Sequence, residues 1–147
     1  MKVVIQRVTE AQVDVAEETV GQIGEGMLIF VGIGKEDTTQ EADILIRKII
    51  GLRIFEDDKG KMNLSALEQR AEILIVSQFT LYGDCDKGRR PSFDKAAEPE
   101  IAEELYNYLV EGLRKYDLKI ETGRFRAMME VSLVNDGPVT FILESNK

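Results

Sequence analysis

The sequence predicts an α/β fold of the α+β type: a mixed, largely antiparallel sheet curled into a barrel-like core, with two amphipathic helices packed outside. Three observations favour this fold. Short strand-like segments follow one another over residues 2–33. Two later segments carry apolar residues at helical spacing. Further strand-like segments lie between and after these helices, as is typical of a sheet covered on its outside by helices.

The composition is that of one globular domain. A chain of 147 residues with 44% hydrophobic residues suits a single domain over residues 1–147 with a substantial core. No apolar run approaches the roughly 20 residues that a membrane span needs. Residues 1–5 lack the apolar region and cleavage site of a signal peptide. We therefore expect a cytoplasmic protein without a membrane partner.

The first strands are expected at residues 2–8, 11–15, 19–23 and 27–33. The second of these alternates apolar and polar residues, which indicates a half-buried strand. The fourth is a continuous apolar run and should be a central strand. Turn residues separate the last two at positions 24–26. This spacing is typical of consecutive antiparallel strands.

Two helices are then predicted. Thr38 and Glu41 form a capping-box pattern ahead of apolar residues at Leu45, Ile49 and Leu52. Pro99 suits the first position of a second helix, where its missing N–H costs nothing. The buried face of this second helix is predicted to carry Ala102, Leu105, Tyr106, Leu109 and Leu113.

The remaining segments complete the sheet. Residues 53–55 are expected to lead back towards it, and residues 62–67 are ambiguous, with one short helical turn as an option. Further strands are predicted at residues 73–76, 119–122, 129–134 and 139–143.

The chain has no histidine and one cysteine, Cys85. A single cysteine excludes an internal disulfide. The absence of histidine removes the commonest general base, the Ser–His and Cys–His nucleophile pairs and the usual zinc ligands. A metal site built from carboxylates alone is left open, although no clustered ligand spacing favours one, and we expect no cofactor.

Polar side chains appear where the predicted strand over residues 73–76 leaves the core. Ser77, Gln78 and Thr80 follow the apolar run directly. Burying polar groups at the end of a strand costs free energy unless they form hydrogen bonds or serve a functional site. Local hydrogen bonding at the strand end is one interpretation, and a functional site is the other.

A second polar stretch, residues 135–140, again lies between two apolar runs. Gly137-Pro138 within it is compatible with an ordinary turn. A bond before proline can also be cis at a cost of about 0.5–1 kcal/mol. A cis bond would aim successive carbonyls the same way, and glycine would keep that surface free of side chains. The result would be a rigid wall of acceptors suited to an amine.

The net charge of −8 argues against non-specific binding to long nucleic acids. It leaves room for recognition of one RNA end by a local basic patch. Lys87, Arg89 and Arg90 form such a patch soon after Ser77. A solvated loop is the alternative interpretation.

These stretches together resemble the D-aminoacyl-tRNA deacylases, and the similarity covers essentially the whole chain. The matching segments also include residues 6–8, 53–55, 60–64, 87–93 and 121–125. One difference is that Arg126 follows Phe125, at a position where the family usually has a small residue, often glycine.

The resemblance implies a homodimer that edits aminoacyl-tRNA. It would hydrolyse the ester between a D-amino acid and the terminal ribose at the 3′ end of tRNA, and would also remove glycine mischarged onto tRNA(Ala). It implies that Gly137-Pro138, with a cis bond, enters the partner subunit's active site. There it would exclude L side chains sterically. No metal would be needed.

The resemblance also implies the site residues. The catalytic segment is Ser77, Gln78, Phe79 and Thr80. The substrate pocket is formed by Leu81, Phe125, Met129 and Asn135. Arg7 braces the Gly-Pro segment, unless it is an ordinary surface arginine of a strand. Lys87, Arg89 and Arg90 bind tRNA.

Catalysis without histidine is open to two mechanisms. The ribose hydroxyl beside the ester can assist, with backbone N–H groups near Phe79 and Thr80 stabilising the oxyanion. Alternatively, Thr80 is a covalent nucleophile, although no activator lies near it in sequence. A dimer that binds RNA ends without catalysis is the remaining alternative.

Overall fold

The computed structural model describes residues 1–146, and within them the fold contains strands, three α-helices and one 3-10 turn. The strands are β1 (Lys2–Val15), β2 (Glu18–Ile23), β3 (Gly26–Gly32), β4 (Phe55–Glu56), β5 (Met62–Leu64), β6 (Glu72–Ser77), β7 (Ile120–Thr122) and β8 (Glu130–Glu144). The helices are α1 (Thr39–Gly51), α2 (Ala66–Gln69) and α3 (Pro99–Arg114), and the 3-10 turn is Phe79–Tyr82.

The main sheet has the order β2-β1-β3-β6-β7, with β8 paired to β1. Strand β1 is antiparallel to β2, β3 and β8, whereas β6 is parallel to both β3 and β7. The ends of the sheet curl towards each other, so that a Cβ added to Gly21 in β2 would overlap the carbonyl oxygen of Thr122 in β7. The predicted mixed, barrel-like sheet is confirmed.

Both faces of the central strands are buried, which explains their continuous apolar sequences. Met27 in β3 and Ile75 in β6 face a core shared with α1 and α3. Leu28 and Leu74, their neighbours in sequence, face a second core inside the curl of the sheet. Strands covered on both sides lose the alternation of a half-exposed strand.

The two long helices follow the predicted signals. Thr38 caps α1 in a capping box with Glu41, whose carboxylate accepts a 2.8 Å hydrogen bond from the Thr38 N–H. Pro99 is the first residue of α3, and the predicted apolar face of this helix is buried. The Tyr106 hydroxyl donates a 2.9 Å hydrogen bond to the Ile75 carbonyl and thereby fixes α3 to β6.

Three segments differ from the sequence-based expectation. Residues 2–8 and 11–15 form the single strand β1, which changes partners along its length. Phe55 does not lead back to the main sheet, because β4 pairs with β5 in a separate two-stranded sheet. Residues 129–134 and 139–143 are not two strands either. Both belong to β8 and pair with β1 in one direction, so the chain does not turn back between them.

We expect Gly26→Ala to destabilise the fold, since a methyl group there would overlap the Glu72 backbone in the paired strand β6. Overpacking of this kind costs typically about 1–3 kcal/mol. Gly51→Ala is the matched control, because nothing lies within 4 Å of its added Cβ at the end of α1. It should be neutral, or stabilising by up to about 1 kcal/mol. Urea unfolding measures both, and equal stability of the two variants would contradict the packing of β3 on β6.

Candidate active site

The end of β6 leads directly into the 3-10 turn. The Gln78 N–H donates a 2.7 Å hydrogen bond to the Val31 carbonyl, which holds the chain against β3 as it leaves the strand. The Leu81 N–H then donates to the Gln78 carbonyl at 3.2 Å and begins the turn. The first N–H groups of a helical turn have no partner within it. Phe79 and Thr80 occupy these positions, so the turn presents backbone donors at its start.

Side chains of the turn contact one another at the surface. The Gln78 carboxamide donates a short hydrogen bond to the Thr80 hydroxyl. Phe79 remains 58% exposed, although its ring packs edge-on against Phe93 with 4.9 Å between centroids. Neither Gln78 nor Phe93 is a base able to activate Thr80. Among residues 1–146 the Thr80 hydroxyl forms no hydrogen bond to a base, and it therefore lacks the arrangement expected of an activated nucleophile.

Gly32, the last residue of β3, and Gly34 just after it form the surface on which the turn lies. A Cβ at Gly32 would lie 3.0 Å from the Leu81 Cβ, and one at Gly34 would lie 2.8 Å from the Tyr82 hydroxyl oxygen. The Tyr82 hydroxyl in turn donates to the buried Asp37 carboxylate at 3.3 Å. Burial, and then the Asp37 charge, raise the pKa of Tyr82, so its hydroxyl stays protonated as a donor.

Sequence reasoning did not identify Gly34, Asp37 or Tyr82 as support for this turn. Asp37 also accepts hydrogen bonds from the Gly34 N–H at 2.6 Å and from the amino group of Met1 at 2.5 Å. The Gly-x-Gly spacing over residues 32–34 was the available signal. This spacing indicated that another segment packs closely on the backbone of residues 32–34, but it did not indicate which segment.

A cavity of about 360 Å³ opens beside the turn. Of the predicted site residues, the structure brings together five around it: Ser77, Gln78, Phe79, Phe125 and Met129. Apolar side chains from β3, β6 and β8 and from the start of α3 complete most of the wall. The Phe125 ring is held from behind by Tyr106, with 5.7 Å between centroids.

Thr80, Leu81 and Asn135 do not line this cavity within one chain. Thr80 points to the surface beside it, and Leu81 packs over Gly32. The carboxamide of Asn135 instead donates to the carbonyls of Arg7 and Val139, at 2.9 and 3.0 Å.

The Gly137-Pro138 segment protrudes from the middle of β8. Asn135 pairs with Val8 and Thr140 pairs with Gln6, so residues 136–139 face the single residue Arg7. The peptide bond between Gly137 and Pro138 is cis, and both residues are exposed. The segment is therefore an excursion from a continuous strand, not the turn of a hairpin.

Arg7 lies beneath this excursion and is only 5% exposed. Its Nη1 group donates to the Ile54 carbonyl at 2.9 Å, and its Nε lies 3.1 Å from the Asp136 carboxylate. A longer ion pair of 3.6 Å joins its Nη2 to Glu56. Arg7 is thus a buried strand arginine in contact with the residue before Gly137, not a surface arginine.

The two polar stretches lie far apart within one chain. Ser77 pairs with Val31, which pairs with Val3 on β1. Gly137 faces Arg7, four residues further along β1, and four residues of strand span about 13 Å. One chain therefore does not place Gly137-Pro138 at the cavity.

The basic patch occupies an exposed loop closed by backbone hydrogen bonds between Asp84 and Ser92, at 2.7 and 2.9 Å. Within residues 1–146, the side chains of Lys87, Arg89 and Arg90 form no ion pair. The same described residues contain no group of three or more Cys, Asp or Glu placed to hold a metal ion. None of their helices is both long and apolar enough to span a bilayer.

Relatives with more than half of their residues identical to this chain share one name. A protein of Thermotoga petrophila named D-aminoacyl-tRNA deacylase is 58% identical over 147 residues, covering all of this chain and 99% of the relative. One of Brevibacillus brevis with the same name is 59% identical over 145 residues, or 99% of this chain and 100% of the relative.

Solved structures share the fold. One described as a c-Myc DNA unwinding element binding protein superimposes with a TM-score of 0.93 at 47% identity, covering 98% of both chains. A probable eukaryotic D-amino acid tRNA deacylase, 17% identical, shows the fold alone with a TM-score of 0.85, covering 97% of this chain and 98% of its own. The family model for D-Tyr-tRNA(Tyr) deacylase matches residues 4–144, and the chain therefore belongs to that family.

Proposed function

We propose that this protein hydrolyses the ester that joins a D-amino acid to the terminal ribose of tRNA, releasing the free D-amino acid and tRNA. The observation that carries the proposal is the family match over residues 4–144. A cavity bordered by Ser77, Gln78 and Phe79 supports it, because this cavity combines an apolar wall with backbone donors at its edge. Such a site suits a small acyl group with a polar ester.

Catalysis in this proposal relies on the substrate and the backbone. Water attacks the ester carbonyl, the N–H groups of Phe79 and Thr80 stabilise the oxyanion, and the bond to the ribose oxygen breaks. The ribose hydroxyl beside the ester assists the attacking water. This assignment is supported by the lack of histidine and by the surroundings of Thr80, whose hydroxyl accepts from the Gln78 carboxamide and forms no hydrogen bond to a base among residues 1–146.

Selectivity for D-amino acids is proposed to come from Gly137-Pro138 of a second copy of the chain. Both enantiomers carry the same groups, so exclusion by a wall separates them more readily than attraction does. In support, the segment is exposed and rests on buried Arg7, and it lies too far from the cavity of its own chain to act there. Glycine carries no side chain for such a wall to exclude, so glycine mischarged onto tRNA(Ala) is a further proposed substrate.

Non-catalytic binding of nucleic acid is the alternative, and one similar structure is described as a DNA-binding protein. The net charge of −8 and the single local basic patch favour contact with one RNA end over binding along a duplex.

The main test compares deacylation of D-tyrosyl-tRNA and L-tyrosyl-tRNA by purified protein after exhaustive chelation. We expect rapid release of the D-amino acid and none of the L-form above the spontaneous rate. The comparison contains its own control, because both substrates carry the same tRNA. Absence of turnover for both substrates would favour the binding alternative. Detection of an acyl group on Thr80 by rapid-quench mass spectrometry would show that Thr80 is a covalent nucleophile and would contradict catalysis assisted by the ribose.

A second prediction concerns Gly137→Ala. The added methyl would lie 2.7 Å from Val139 Cγ2 and 3.3 Å from Arg7 Nη2, at a φ of +124° that side chains rarely adopt. Displacement of the segment should lower deacylation of D-aminoacyl-tRNA on the order of 100-fold. Gly60→Ala is the matched control, with a φ of +73° and nothing within 4 Å. It should lose about 1 kcal/mol of stability and keep its activity. Equal activity of the two variants would show that Gly137 has only a structural role.

A third prediction concerns the basic patch. Arg89→Ala combined with Arg90→Ala should weaken tRNA binding and reduce its dependence on salt. The slope of the logarithm of the binding constant against the logarithm of the salt concentration should fall by about 0.7–0.9 for each lost phosphate contact. The exposed pair Arg47 and Lys48 of α1 provides the control, because its removal changes net charge equally. Filter binding between low and high salt measures the slopes. Identical slopes for the two double variants would show that the patch is only a solvated loop.

A further inference from the structure

We propose that Arg126 binds the phosphate group of the substrate's terminal nucleotide at the mouth of the cavity beside the 3-10 turn. This inference rests on the proposed function and adds a phosphate-positioning residue to it. Three observations support it. Among residues 1–146, Arg126 is the single charged residue in the cavity lining, its guanidinium has no side-chain partner, and its backbone is in the left-handed conformation.

Arg126 is the one charged residue that lines the cavity within the described part of the chain. The other lining side chains are apolar, apart from the uncharged polar groups of Ser77 and Gln78. A single cation beside an otherwise neutral cavity has no carboxylate there to neutralise it. An anion at the mouth would therefore meet an unopposed positive charge.

The guanidinium of Arg126 is exposed and makes no hydrogen bond or ion pair with any side chain among residues 1–146. Arg7 and Arg114, by contrast, are engaged: Arg7 is paired with Asp136, and Arg114 lies 2.6 Å from Glu111. All five N–H donors of Arg126 are available to a ligand. A planar guanidinium matches the oxygens of a phosphate with two parallel hydrogen bonds.

Backbone hydrogen bonds on both sides of Arg126 hold the loop that carries it. The Gly123 N–H donates to the Ile75 carbonyl at 3.0 Å, and the Ala127 N–H donates to the Arg124 carbonyl at 3.2 Å. Between these bonds Arg126 has a φ of +64°, in the left-handed region that favours glycine. The backbone disfavours a large side chain at this position, and glycine would relieve that strain.

The proposed function puts the phosphate of the terminal nucleotide on the outer side of the cavity, where Arg126 is exposed. In that function the amino acid, as the end of the substrate, occupies the cavity, and the ribose lies at the edge formed by Ser77 and Phe79. The phosphate that joins the terminal nucleotide to the rest of the RNA must then lie outward, at the mouth. Since the protein carries a net charge of −8, this phosphate needs a local cation.

The test uses D-tyrosyl esters of adenosine with and without a 5′-phosphate. For the parent protein, we expect the phosphate to raise kcat/KM about tenfold, as expected for a charge-assisted contact. In Arg126→Gly this benefit should fall below about twofold, and Arg126→Lys should restore part of it. Arg124→Ala is the matched control, because Arg124 is exposed two residues away and does not line the cavity. It should keep the full benefit.

Thermal unfolding separates this role from a structural one. Glycine relieves the left-handed backbone, so Arg126→Gly should unfold at the same or a higher temperature while it loses the phosphate benefit. An unchanged phosphate benefit in Arg126→Gly would overturn the inference. The inference would also be overturned if Arg126→Gly lost activity only towards D-aspartyl esters, whether or not they carry the 5′-phosphate. Arg126 would then bind the acyl side chain and not the phosphate. Failure to cleave any D-ester in preference to its L-form would instead overturn the proposed function.

Discussion

Strand β1 pairs with other strands on both of its edges, and the rest of the fold depends on this pairing. One edge of β1 binds β8, and the other binds β3 and then β2. A buried strand must satisfy every backbone donor and acceptor. The register chosen for β1 therefore fixes three neighbours at once. It positions β6 through β3, and with β6 the polar turn at its end.

The same strand creates the protrusion at Gly137-Pro138. Four residues of β8 face the single residue Arg7, so the excess length must leave the sheet. Arg7 contacts Asp136 and the Ile54 carbonyl beneath it, and Asn135 joins the two ends of the excursion. A buried guanidinium is tolerated only when such partners are present. Within each chain, this surface feature consequently has a rigid base.

Local signals were sufficient for much of the fold and for part of the site. Three of these signals act over a short stretch of sequence. They are the capping box at Thr38, Pro99 at the start of α3 and the continuous apolar run in β6. The motif at Ser77 follows directly from the end of that run. Tyr82 and Asp37, 45 residues apart, were not predicted, because their hydrogen bond depends on how β3 lies against the turn.

The sequence by itself determined the type of fold, the two long helices, the family and the absence of imidazole chemistry, since these depend on composition and short-range pattern. Only the tertiary structure decided that residues 130–144 form one strand, that Arg7 is buried, and that Gly137 lies away from the cavity of its own chain. It also placed Arg126 on the cavity wall. These facts depend on strand register, which long-range pairing sets and which no local stretch of sequence encodes.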